Sequence, residues 1–142
     1  MTSTLATHHG SALRVEVLRS HTEGGLYLRE VFLRTTAAVG PVPADRVVEY
    51  GVLAVALAQF APDAGAAIEA GRKPLGALLH EFAIPFVSAP IGFFSTDAAG
   101  LVGTPLPVPA GARCYGRFNC LAAPSGEPLA WIMEILPPHP AS

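Results

Sequence analysis

The chain has 142 residues, 51% of them apolar and only 14% charged, with nine Lys and Arg against eleven Asp and Glu for a net charge of −2. Such a composition excludes a disordered chain and favours one domain with a dry interior, large enough to bury roughly 68% of the surface the unfolded chain exposes. The cations are scattered from Arg14 to Arg117 with no basic stripe, so no nucleic-acid partner is expected, and the most apolar run, Gly51 to Ala58, is too short to cross a bilayer.

The opening "MTSTLATHHGSALR" has no basic stretch followed by an apolar one, so it does not read as a secretory signal. A cytoplasmic protein is expected, with a flexible N-terminus over 1–12, a single domain over 13–138 and a short tail over 139–142. "LRVEVLRS" (Leu13 to Ser20) alternates apolar with polar residues and predicts a half-buried strand. "HTEGG" (His21 to Gly25) is a turn signal, and "LYLREVFLRT" (Leu26 to Thr35) returns as a second strand to make a hairpin. After the Pro/Gly loop "AAVGPVPADR", the segment Val47 to Leu57 reads as a third strand.

"APDAGAAIEAG" (Ala61 to Gly71) carries Pro and Asp at its start and Gly at its end, the punctuation of a short helix, and a second begins at Pro74 in "PLGALLHEF". Further strands are predicted at Ala89 to Thr96, Ala112 to Ala122 and Pro128 to Leu136, the last two joined by the turn "APSGEP". Six strands with two helices between the third and fourth imply an α+β fold with a mainly antiparallel sheet. Cys114 and Cys120 fall on one face of one predicted strand and read as small, reduced core residues.

Five histidines and two cysteines show no metal-binding spacing, and no phosphate-binding glycine loop or nucleophile elbow is present, so neither metal nor cofactor is expected. What remains is a set of charges inside apolar strands: Arg29, Glu30, Glu49, Arg117 and Glu134. The period of two puts Tyr27, Arg29, Val31 and Leu33 on one face, and Ile132, Glu134 and Leu136 on one face of the last strand. Where those faces share a space, Arg29 and Glu134 can meet, either as a buried ion pair or as two sides of a ligand site.

"LREVFL", then "KPLGALL", then "YGRFNCLAAPSGEPLAWIMEILPP" resemble in this order the chorismate pyruvate-lyase (4-hydroxybenzoate synthase) superfamily, over about residues 13–138. The resemblance implies a chorismate lyase-like sheet with flanking helices and an enclosed pocket, in which Arg29 holds a ring carboxylate, Glu134 meets the hydroxyl or ether oxygen at the far end, and Leu75 lines the wall. Arg29 and Glu134 are then the catalytic candidates, and Arg29, Leu75, Gly76, Glu49 and Arg117 the substrate-binding ones. Relatives in that family carry further basic residues where this chain reads "AIPFVSAPIGFF" (Ala83 to Phe94), which has none. A second carboxylate would therefore need Arg72, Lys73, Arg117 or the helix start at Pro74.

The leading functional expectation is a cofactor-independent lyase that acts on chorismate or a related cyclic carboxylic acid, releasing pyruvate and forming a hydroxybenzoate-type product. Two alternatives stand beside it: a natural-product cyclase or dehydratase with a more apolar substrate, and a non-catalytic small-ligand-binding domain resembling repressor sensor domains. The partner expected in each case is a small cyclic or aromatic carboxylic acid, with no membrane and with a monomer or homodimer as the assembly.

Overall fold

The computed structural model describes residues 13–38, 44–97 and 111–138. The expected flexible N-terminus (1–12) and tail (139–142) lie outside the described residues, as do His8, His9 and His139. The elements are β1 (Leu13–Glu23), β2 (Leu26–Thr35), β3 (Val47–Ala56), α1 (Pro62–Ala70), α2 (Leu75–Glu81), β4 (Val87–Asp97), β5 (Arg113–Ala122) and β6 (Pro128–Leu136). They form one six-stranded sheet in the order β1-β2-β3-β6-β5-β4, with every neighbouring pair antiparallel.

Several boundaries differ from those expected, β4 for one running from Val87 to Asp97 rather than Ala89 to Thr96. His21 to Glu23 were assigned to a turn, but they pair with Leu28 to Leu26, and the turn contracts to Gly24 and Gly25 with φ of 57° and 79°. Successive positive φ values give the tight hairpin turn that matches strand twist, and glycine reaches them without steric cost. The third strand stops at Ala56, and Leu57–Gln59 close into a single 3₁₀ turn.

Both helices lie on one face of the sheet. Leu75, Leu78 and Leu79 recur at the spacing of a helical stripe and, with Ile68 of α1, pack on Tyr27, Val31, Leu53 and Val55 of the sheet. The first helix starts at Pro62 and ends at Gly71, whose φ of 68° makes a left-handed cap. Space dictates glycine there as well, since a Cβ on Gly71 would sit 2.8 Å from Val17 Cγ2 of β1.

The opposite face carries a second cluster of Phe32, Val47, Tyr50, Cys114 and Ile135. On it the Phe94 ring lies against Gly116, where any Cβ would overlap the ring. Cys114 is buried, Cys120 half-buried, and both are free thiols; burial pushes the Cys114 thiol up. Among the described residues no helix is long and apolar enough to cross a membrane.

Candidate functional site

The helix-bearing face is not filled throughout. Between α2 and the strands lies a cavity lined by Arg29, Val31, Glu49, Gly51, Leu75 and Glu134, with Val15, Leu33, Leu53, Pro74, Gly76 and Ile132 completing the wall. Its narrow interior measures about 60 Å³, and the unfilled space counted out through the mouth is about 410 Å³. Gly51 accounts for the gap: it sits opposite Val31 on β2 and Glu134 on β6, and the missing side chain leaves a depression in an otherwise apolar floor.

Arg29 enters this space from β2, buried to 3% exposure. Its Nη1 donates to the carbonyl of Ile68 at 3.3 Å and its Nη2 to the carbonyl of Lys73 at 3.4 Å. The cation thus caps the C-terminal end of α1, where unpaired carbonyls and the helix dipole both favour positive charge. Burial lowers its pKa, with the neighbouring Tyr27 opposing that shift. The Nε atom is buried and has no hydrogen-bond partner.

Glu134 enters from β6. Its neighbour is not Arg29, as the shared face suggested, but Arg117, whose Nε donates to Glu134 Oε2 at 2.6 Å. The two are directly opposite on β5 and β6, the position in which cross-strand side chains interact most strongly. Counting outward along the hairpin does not reveal this partner: the turn closes on Ala123 and Glu127, which would put Arg117 opposite Met133, and a bulge at Leu121/Ala122 shifts the register by one to bring Glu134 there. Arg117 is accordingly held to Glu134 and is absent from the cavity wall, unlike Glu49, Leu75 and Gly76, which line it.

Glu49 is the most unusual group. It is 4% exposed, it lines the cavity, and its Oε1 has no hydrogen-bond partner. Burial, followed by repulsion from Glu134, pushes its pKa up to about 8. The other embedded carboxylate, Glu30, points to the opposite face, where it accepts hydrogen bonds from Arg19 and from the Tyr50 hydroxyl at 2.8 Å.

No protein-family model matches the sequence, and no curated protein does. Solved structures do resemble the fold. PhnF from Mycobacterium smegmatis superposes with a TM-score of 0.69 at 11% identity, over 96% of this chain and 62% of that one. The ligand-binding domain of a GntR-family transcriptional regulator from Bordetella bronchiseptica gives 0.61 at 11% identity, over 92% of both chains. Gene product SA0254 from Staphylococcus aureus subsp. aureus N315 gives 0.63 at 11% identity, over 87% and 83%. The fold is chorismate lyase-like. At these identities the likeness concerns the fold alone.

Of the residues expected to hold a second carboxylate, Arg72, Lys73 and Arg117 do not line the cavity, whereas Pro74 at the start of α2 does. Arg72 is exposed, and Lys73 donates to Glu81 at 2.7 Å on the surface. Among the residues lining the cavity, Arg29 is the sole cation. No cluster of His, Cys, Asp and Glu suited to a metal occurs among the described residues.

A second hollow lies on the other side of the sheet, a groove of about 390 Å³ among Val52, Ala54, Ile91, Phe118, Trp131 and Met133. It contains no charged side chain, and the sequence reading did not anticipate it. Its signal was the outward parity of Trp131 and Met133, which alternate with Ile132 and Glu134.

Proposed function

We propose that the chain is a small-ligand-binding domain of the regulator-sensor type, which takes an organic acid into the cavity over Gly51. The observation that carries this reading is the pair of buried, unpartnered polar atoms, Arg29 Nε and Glu49 Oε1, on residues lining one cavity. An orphaned buried donor or acceptor costs about 1–3 kcal/mol, and a bound acid that meets both would recover that cost. Ligand sites have this general form, apolar walls with a few convergent polar groups.

The lyase expectation is less well supported. Glu134, the residue it needs for proton handling, has its Oε2 engaged by Arg117 at 2.6 Å. The named structural neighbours include the ligand-binding domain of a transcriptional regulator, which favours binding over turnover. The narrow interior, room for a few waters, means that α2 must shift outward when a ring enters.

Two measurements on one preparation test the proposal. Calorimetric titration with benzoate and its hydroxylated derivatives should show saturable binding that Arg29→Met weakens by about tenfold or more, the loss of one charge-assisted contact. Incubation with chorismate should release no pyruvate above the spontaneous rate. Pyruvate release abolished by Glu134→Gln would overturn the binding-only reading and restore the lyase.

A further inference from the structure

We propose that Glu49 takes part in ligand recognition as an uncharged hydrogen-bond donor, so that the cavity selects monoanions with a neutral oxygen acceptor opposite their acid group and rejects dianions. This deepens the binding-site reading above and rests on it. It names the charge class of the ligand, which the fold does not.

The argument begins with the charges that face Glu49. From β6 comes Glu134, whose backbone station opposite Gly51 is diagonal to Glu49, a separation of about 7–8 Å between such positions. From β5 comes Arg117, the partner of Glu134. From β2 comes Arg29, opposite Leu53, which is four residues along β3 from Glu49 or roughly 13 Å of strand. On β1 and α2 the lining residues are Val15, Leu75 and Gly76, none of them ionisable.

Two carboxyl groups therefore line this end of the cavity, and the Arg117 guanidinium, outside the wall, is bonded to Glu134. An ionised Glu49 would be buried, repelled and unpaired, an arrangement proteins avoid by keeping the group protonated. The upward shift of its pKa agrees with that geometry.

A protonated carboxyl has one O–H to donate, and Glu49 Oε1 has no protein partner. At the other end Arg29 carries the cavity's single positive charge. One fixed cation suits one anionic group. A second carboxylate would meet Glu49 and Glu134 with no cation of its own and would be buried uncompensated. The ligand class that satisfies both ends is a compact, mostly apolar monoacid with a hydroxyl, keto or ether oxygen across its ring.

The test uses the full chain and planar probes of matched size: 3- and 4-hydroxybenzoate as monoanions, isophthalate and terephthalate as dianions. At pH 6.5 at least one monoanion should bind tenfold or more tightly than either dianion. Its affinity should fall by about tenfold per pH unit once Glu49 begins to ionise, near pH 8, as the linkage of one proton requires. Glu49→Gln, which cannot ionise, should remove that pH dependence. Carboxyl ¹³C NMR of the unliganded protein should show the Glu49 resonance still protonated at pH 7.

Dianions that bind as well as monoanions, or a Glu49 resonance ionised at pH 7, overturn the inference while leaving the binding site intact. Failure of all four probes to bind, with Glu49 protonated, overturns the binding-site reading and this inference with it.

Discussion

The partner of Glu134 can be decided by thermodynamic coupling. The Arg117–Glu134 pair is neither on the surface nor fully enclosed: the side chains keep 22% and 11% of their exposure. Exposed pairs are worth about 0–1 kcal/mol, whereas removing one partner of a buried pair costs about 3–5 kcal/mol. Arg117→Met should accordingly destabilise the protein by about 2–3 kcal/mol, because Glu134 is left desolvated without its cation. For a chain of this size, each kcal/mol moves the melting temperature by about 3–5 °C, so a drop of roughly 6–15 °C is expected.

Loss of stem packing would also lower stability, so the single variant does not isolate the charge contact. A double-mutant cycle with Glu134→Gln does. Urea denaturation of wild type, Arg117→Met, Glu134→Gln and the double variant should give a coupling of about 1–2 kcal/mol. The parallel cycle with Arg29→Met should give less than about 0.5 kcal/mol, since Arg29 bonds to the carbonyls of Ile68 and Lys73. A larger coupling for Arg29–Glu134 than for Arg117–Glu134 would refute the geometry on which the site description rests.

Glu49 makes stability pH-dependent in a defined window. Its folded pKa of about 8 stands above the unfolded value of 4.5, so between those values the folded state holds a proton that the unfolded state has lost. Stability should therefore fall as pH rises through that window, by up to about 1.4 kcal/mol per unit, and level off above pH 8. Urea midpoints from pH 5 to 9 measure this, and Glu49→Gln should flatten the slope; an unchanged slope would assign it to another group. Gly71→Ala places a methyl against Val17 at a left-handed φ and should cost more than about 1 kcal/mol in thermal melts. Leu75→Trp should crowd the cavity and abolish binding of the hydroxybenzoate probes at an overpacking cost of about 1–3 kcal/mol in thermal melts; undiminished binding would place the ligand elsewhere.

Much of this molecule follows from local rules. Alternation with a period of two puts Tyr27, Arg29, Val31 and Leu33 on one face and Ile132, Glu134 and Leu136 on one face, and the strands obey it. Pro62 and Gly71 bracket α1 because one has no N–H to lose and the other accepts a left-handed backbone. Parity, however, says which face a side chain takes and not which strand lies beside it.

The sheet order put β6 between β3 and β5, so Glu134 has Arg117 next to it and Arg29 two strands away. Arg29 found backbone carbonyls at the end of a helix, acceptors that every residue type carries and no side-chain pattern reveals. The state of Glu49 was likewise open in the sequence, because a carboxyl's proton affinity is set by how much water it loses and by the charges around it. Those are properties of the packed strands: the burial of β3 and the nearness of Glu134 across Gly51 raise the proton affinity of the glutamate in "VVEYG".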